Sequence, residues 1–399
     1  MMHLQPPAGI PITIGQLVKI IGRRLLAGKC PDRFIADIGR DMKIGHGYLV
    51  NSGRTALAVG LQALAATSKR TEVIIPAYTC FTVAASIARS GLKIRLADID
   101  PSTLDYNYDK IRQIDFTSVL AIIGCNMFGL ICDWPRLRQI AREREVFLID
   151  DAAQSMGGSL TGQASGTFGD IGFFSLGRGK NMTAYSGGVL ITNDDSLAVK
   201  IEDIMAELHQ PGSVAEFSIA IKLALYGLFL RPWLYWLPAS LPFLGLGETE
   251  FEPEFEMTSL GKIQACAAAV IYERLADLRK IRDRHAQKIA SLLAGRGDHC
   301  ISGLVLGELP DYLRLPVLMK NRSERDQAIL KLRKNNIVAS SMYPSTIAQI
   351  PGIDKYLACD KEDYPGAQQV VDRLVALPIH PYMTDSDIKR IASCFGEGR

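Results

Sequence analysis

The sequence predicts an α/β fold: a large three-layer α/β domain on a mostly parallel sheet, followed by a smaller C-terminal α+β domain. Three observations carry this. From about residue 45 to 200, short apolar runs alternate with stretches of helical period, the pattern of strands joined by covering helices. Beyond about residue 255 the pattern changes to one long helical stretch, then short strands mixed with helices. At 399 residues the chain is too long for one small core, so two domains are expected. The division is placed at 1–255 for the large domain and 256–399 for the small one, linking helix included.

Taken in order, apolar runs at 73–76, 94–97, 119–124, 146–150, 171–175 and 189–192 predict strands. Helical periods between them predict helices over 54–66, 79–89, 135–144 and 194–205. In such sheets ligands sit at the carboxyl ends of the strands, and Asp151 and Ser175 both fall at such ends. Apolar residues at three- and four-residue spacing predict one long linking helix over 260–293. After it come predicted short strands at 311–317, 336–343 and 375–379, and helices at 324–335, 367–374 and 385–394. There is no internal repeat and no low-complexity segment.

The stretch 217–247 reads FSIAIKLALYGLFLRPWLYWLPASLPFLGLG and holds two charges, Lys222 and Arg231. Pro232, Pro238 and Pro242 break any single helix. No uninterrupted run reaches the roughly 20 apolar residues of a spanning helix. Short helices lying on a surface are expected instead. Two readings stay open: peripheral contact with a membrane or partner, and packing on the protein's own core or a dimer mate.

Composition narrows the function classes. Hydrophobic residues at 48% and charged residues at 22% are ordinary for a soluble globular protein. A net charge of +3 without a basic run gives no case for nucleic-acid binding. Eight cysteines lie scattered without a CxxC pair, so reduced, mostly buried thiols in a cytoplasmic protein are expected. The six histidines show no metal-ligand spacing, so no metal site is expected. The N-terminus lacks the basic start and clean apolar core of a signal peptide.

One constellation carries chemistry. Ile149-Asp150-Asp151-Ala152-Ala153-Gln154-Ser155 closes an apolar strand. One strand–loop–strand unit later comes Gly169-Asp170-Ile171-Gly172-Phe173-Phe174-Ser175-Leu176-Gly177-Arg178-Gly179-Lys180. Pyridoxal phosphate needs a lysine amine for its aldehyde, a carboxylate for its ring nitrogen, and hydroxyls and amides for its phosphate. Alone, the lysine reads as a solvated charge and the aspartate as a helix cap. At these spacings the cofactor reading is the stronger one. Asn51-Ser52-Gly53-Arg54-Thr55 opens a helix upstream, and helix N-termini bind phosphate.

In this order the motifs resemble the DegT/StrS family of pyridoxal-phosphate-dependent sugar aminotransferases. The resemblance covers most of the chain and adds Asp98-Ile-Asp-Pro101, Gly166-Thr-Phe-Gly-Asp-Ile-Gly172, Gly187-Gly188, Met342-Tyr343-Pro344 and Leu377-Pro-Ile-His-Pro-Tyr382. It implies fold type I, a homodimer with a shared site, and an amino group moved from an amino acid such as L-glutamate to a nucleotide-linked keto-sugar. Lys180 would carry the cofactor and shuttle protons. Asp151 would hold the ring nitrogen, with Asp150 pointing elsewhere. Gln154 would touch the ring, and Ser175 with the amides of Gly53 and Arg54 would hold the phosphate. Departures stand at Arg54 (usually Thr), at Cys80 (usually a ring-stacking aromatic, with Tyr78 or Phe81 as alternatives), at Leu176, Gly177 and Ser186, and around 254–259. These changes cluster around the sugar side of the site. Two alternatives follow: another reaction of this cofactor on a non-sugar ketone, and a cofactor-free binding protein that kept the fold.

Overall fold

A computed structural model of the chain describes residues 3–26, 30–241, 250–294, 299–300, 308–360 and 362–395. Helices α1 (Ile14–Leu26) and α2 (Cys30–Met42) lead into strand β1 (His46–Val50). Strand and helix then alternate as predicted: α3 (Gly53–Ala65), β2 (Glu72–Pro76), α4 (Phe81–Arg89), β3 (Lys93–Ala97), α5 (Tyr108–Ile111), β4 (Val119–Cys125), α6 (Trp134–Arg144) and β5 (Phe147–Asp151). A hairpin of β6 (Ser159–Leu160) and β7 (Gln163–Ala164) precedes β8 (Ile171–Ser175), β9 (Gly188–Thr192) and α7 (Asp195–Glu207). The helix starts are encoded locally. Ser52, Asp133 and Asp194 each accept from a backbone amide in the first turn of α3, α6 and α7.

Seven strands form one sheet in the order β1-β9-β8-β5-β4-β2-β3. Only β9 runs against the rest, so the sheet is mostly parallel, as expected. Strand β4 reads VLAIIGC and is buried at every position, as a strand covered on both faces must be. Helix α3 lies so close to the sheet that a Cβ on Gly60 would meet Ile171 Cδ1 at 2.4 Å.

The C-terminal part holds a second, three-stranded sheet of β10 (His299–Cys300), β12 (Leu315–Leu318) and β13 (Leu374–Leu377), with β11 (Glu308–Leu309) pairing the β6–β7 hairpin. Helices α12 (Arg322–Lys334) and α13 (Pro365–Arg373) pack on it, and α14 (Asp385–Ser393) follows. Three expectations are corrected. The long helix over 260–293 is two, α10 (Lys262–Tyr272) and α11 (Leu275–Leu293), because Arg274 leaves the helical region at φ −110°, ψ 1°. Residues 336–343 form no strand and make only the bridges Gln5–Ile337 and Ser340–Ala376. Asn336 and Met342 have positive φ, which a strand ladder does not accept. Finally, Cys30 and Cys266 form a disulfide between α2 and α10, with Cα atoms 4.9 Å apart. A separation of 236 residues hides that pair from any spacing rule. Among the described residues Cys80, Cys125, Cys132, Cys359 and Cys394 are free thiols.

The apolar stretch becomes α8 (Ser213–Phe229) and the short α9 (Trp236–Ala239), with Pro232 in the break between them. Its last part, 242–247, lies outside the described residues. No helix among the described residues is long and apolar enough to cross a membrane.

Candidate active site

All seven residues singled out from the sequence, Gly53, Arg54, Cys80, Asp151, Gln154, Ser175 and Lys180, line one cleft of about 1120 Å³. The topology explains the convergence. Gly53 follows β1, Cys80 follows β2, Asp151 ends β5 and Ser175 ends β8, so their loops gather at the carboxyl edge of the sheet.

Strand alternation sends the two adjacent aspartates opposite ways. Asp150 is fully buried and does not line the cleft. Its carboxylate accepts from Asn126 Nδ2 at 2.7 Å and from the amides of Gly166 at 2.6 Å and Phe168 at 3.1 Å. Asp151 faces the cleft and accepts from the Ala153 amide at 3.0 Å. Burial pushes the Asp151 carboxyl up, while the Ala153 amide and the Lys180 ammonium oppose it.

Ser175 meets the N-terminus of α3. A Cβ on Gly53 would stand 2.9 Å from Ser175 Cβ, so only glycine allows the free amides of that helix to approach the serine hydroxyl. This is a ready anion cradle. Helix α3 needs no ligand for its cap, since Ser52 Oγ accepts from the Thr55 amide at 3.1 Å. The Arg54 guanidinium is engaged by other partners. It pairs with Glu252 at 2.9 Å and stacks over Phe255 at 4.5 Å. Thr55 is buried and donates to Asn51 Oδ1 at 2.6 Å.

The lysine loop is pinned just beyond Lys180. Gly179 takes φ +72°, and Asn181 Nδ2 donates to the Asp311 carbonyl at 2.8 Å. Arg282 donates to the Asn181 carbonyl at 3.2 Å and grips both Asp311 carboxylate oxygens at 2.6 and 2.9 Å. Both partners of this pair are buried.

At the cofactor ring, neither Tyr78 nor Phe81 lines the cleft; both are buried, while Cys80 lines it. Tyr343 does line it, accepting from Gln154 Nε2 at 3.1 Å and stacking with Phe81 at 6.1 Å. Two further features carried no local sequence signal. Arg314 enters the cleft from the C-terminal part. Its Nε donates to the Pro7 carbonyl at 3.2 Å and Nη1 meets Met342 Sδ at 3.3 Å, with no carboxylate partner among the described residues. One wall is rich in apolar side chains, Leu225, Phe229 and Leu230 of the α8 region and Leu237 and Pro238 of α9, with Lys222, Tyr226 and Tyr235 among them.

A lysine amine, a buried carboxylate and an anion cradle closed by Gly53 and Ser175 fit pyridoxal phosphate at its aldehyde, ring nitrogen and phosphate. Comparison with known proteins agrees. A regulatory protein of Geobacillus stearothermophilus, described as pleiotropic, is 34% identical over 189 residues, 47% of this chain and 50% of that protein. The match therefore spans about half the length of that relative. A GDP-perosamine synthase of Vibrio cholerae is 26% identical over 374 residues, 92% of this chain and 90% of that one. A protein of Streptococcus pneumoniae described as a sugar aminotransferase, solved in its PLP form, shares the fold with a TM-score of 0.79 at 20% identity, covering 98% of this chain and 97% of that one. The model of the DegT/DnrJ/EryC1/StrS aminotransferase family matches residues 18–396, and the chain belongs to that family of pyridoxal-phosphate enzymes.

Proposed function

We propose that this chain moves an amino group from an amino acid, with L-glutamate as the expected donor, to a keto-sugar carried on a nucleotide, and that it does so as a homodimer. The observation that carries the reading is the meeting of Lys180, Asp151 and the Ser175–Gly53 cradle in one cleft. The name of the Vibrio relative supports a nucleotide-sugar acceptor. Pyridoxal phosphate bound there supplies an electron sink and a carrier for the amino group.

The chain's own residues do the rest. Asp151 would keep a proton on the ring nitrogen, and its burial makes that charge pair strong. Ser175 Oγ and the α3 amides would anchor the phosphate. Lys180 Nζ would hold the aldehyde end and then move a proton at the substrate carbon. Arg314, which has no carboxylate partner among the described residues, would bind the carboxylate of the amino donor. A second reading, a non-sugar ketone as acceptor, is supported by the departures at Leu176, Gly177 and Ser186 and by Leu225, Phe229 and Leu237 on a wall that also carries Lys222, Tyr226 and Tyr235.

Borohydride reduction followed by peptide mapping should place the cofactor mass on Lys180, and Lys180→Ala should retain the fold but lose turnover. A label on another lysine sinks the assignment. The mass of the product formed from glutamate with nucleotide keto-sugars, against simple ketones, separates the two acceptor readings.

A further inference from the structure

Sixteen large hydrophobic residues are exposed among those described, and twelve of them lie in two segments. Helix α1 exposes Ile14, Val18, Ile21 and Leu25, spaced 4, 3 and 4 apart. Helix α8 exposes Val214, Phe217, Ile221, Leu225 and Leu228, spaced 3, 4, 4 and 3 apart. Such spacing draws one narrow stripe along each helix. Trp233, Trp236 and Leu237 follow α8 and are exposed as well. Both helices pack on α10 and are bridged by Arg24 and Glu216 at 3.1 Å. The stripes are therefore not leftovers of the core, since each helix already buries a different side: Ile20 on α1, Leu223 and Gly227 on α8.

The charges bordering the stripes have one dominant sign. Helix α1 carries Lys19, Arg23 and Arg24 and no acid. Lys222 and Arg231 border the second segment. Against these five cations stand Glu216 and Glu273, which pair with those of α1, and at the cleft mouth Glu250 and Glu252, the latter paired with Arg54. A two-fold contact between copies would set this cationic border against itself. An anionic lipid surface complements it, and tryptophans at the rim suit the headgroup layer.

We propose that the exposed stripes of α1 and α8, with the tryptophan-bearing turn, dock this enzyme on the surface of an anionic bilayer without crossing it. Leu225 and Leu237 belong both to this face and to the cleft wall, so docking places the mouth of the cleft at the lipid–water boundary. The inference does not depend on which reaction the cleft performs.

The test uses the holoenzyme with vesicles of phosphatidylcholine alone and of phosphatidylcholine mixed with phosphatidylglycerol. The wild type should float with the anionic vesicles, less with the neutral ones, and less again at high salt. Brominated lipid should quench its tryptophan emission, which Trp233 and Trp236 report from the surface while Trp134 is buried. Val18→Ser with Ile21→Ser, and separately Phe217→Ser with Ile221→Ser, should each weaken partitioning about tenfold or more, with oligomeric mass and circular dichroism unchanged. Wild-type protein that neither floats nor shows quenching overturns the proposal, whatever the variants do. So do variants that change the oligomeric mass and leave flotation intact, since the face would then join copies of the chain.

Discussion

Asp150 and Asp151 are neighbours with opposite surroundings, and that contrast separates structure from chemistry. Asp150→Asn must set an amide nitrogen against one of its three donors, because Asn126 Oδ1 is already taken by Cys132 N and Trp134 Nε1. We expect it to cost about 1–3 kcal/mol of stability. Asp151→Asn keeps an oxygen for the Ala153 amide and touches only the Cys125 thiol besides, but it removes the charge that would face the cofactor ring, so stability should hold while turnover falls on the order of a hundredfold or more. Melting curves and steady-state rates of the two variants check both halves; a reversed order would mean the wrong aspartate faces the ring. For Arg314→Gln we expect KM for the amino donor to rise about tenfold or more, with cofactor content and turnover at saturation little changed. An unchanged donor KM would show that the carboxylate binds elsewhere. Legibility at this scale follows distance along the chain. Asp151, Ser175 and Lys180 sit within one strand–loop–strand unit, so local spacing exposes them. Arg314 and Tyr343 reach the same cleft only through tertiary packing, and nothing in their own surroundings announces it.

Among the elements, β2 to β5, β8, β9, α3, α4, α6 and α7 were readable from the sequence and stand within two residues of expectation; α3, α6 and α7 have capped starts, and β4 is covered on both faces. The helices α1 and α2 and the edge strand β1 were not. Helix α1 follows a start that carries Pro6, Pro7 and Pro11, and β1 is half-buried along most of its length. The disulfide between α2 and α10 joins two elements that no spacing rule connects. The lysine loop shows how distant elements still determine the site. Its position depends on α11 and on the segment before β12, through Arg282 and Asp311. Burial pushes the Asp311 carboxyl up and Arg282 holds it down, so each needs the other. Asp311→Asn should lower stability by about 3–5 kcal/mol by leaving Arg282 buried without its charge partner. Hydrogen exchange should also speed up across residues 177–185. A fall in stability with unchanged exchange there would confine the pair to the core and separate it from the lysine.

At the scale of the whole molecule, the N-terminal strap ties the C-terminal part to the cleft. Gln5 bridges Ile337 and donates to Asp387 at 2.8 Å, the Pro7 carbonyl accepts from Arg314, and Pro7 and Ala8 line the cleft itself. At the centre of this strap the Pro6 carbonyl accepts from His380 Nε2 at 2.8 Å, in a site where the imidazole is buried. Burial pushes the His380 pKa down to about 4, with His285 and Arg314 acting in the same direction and the Pro6 bond and Asp387 against it. The folded protein therefore binds this proton less readily than the unfolded chain, whose histidines titrate near 6.5. Stability from this group is fully present above about pH 6.5 and drains away as the pH falls toward 4, by about 3 kcal/mol in all. His380→Gln keeps a donor for the Pro6 carbonyl and does not titrate. Between pH 7 and 4 the wild type should lose about 3 kcal/mol of unfolding free energy relative to this variant, measured by denaturant titration at each pH. Parallel curves would mean that the imidazole is hydrated and charged in the folded state, and that acid loosens the strap through its carboxylates instead.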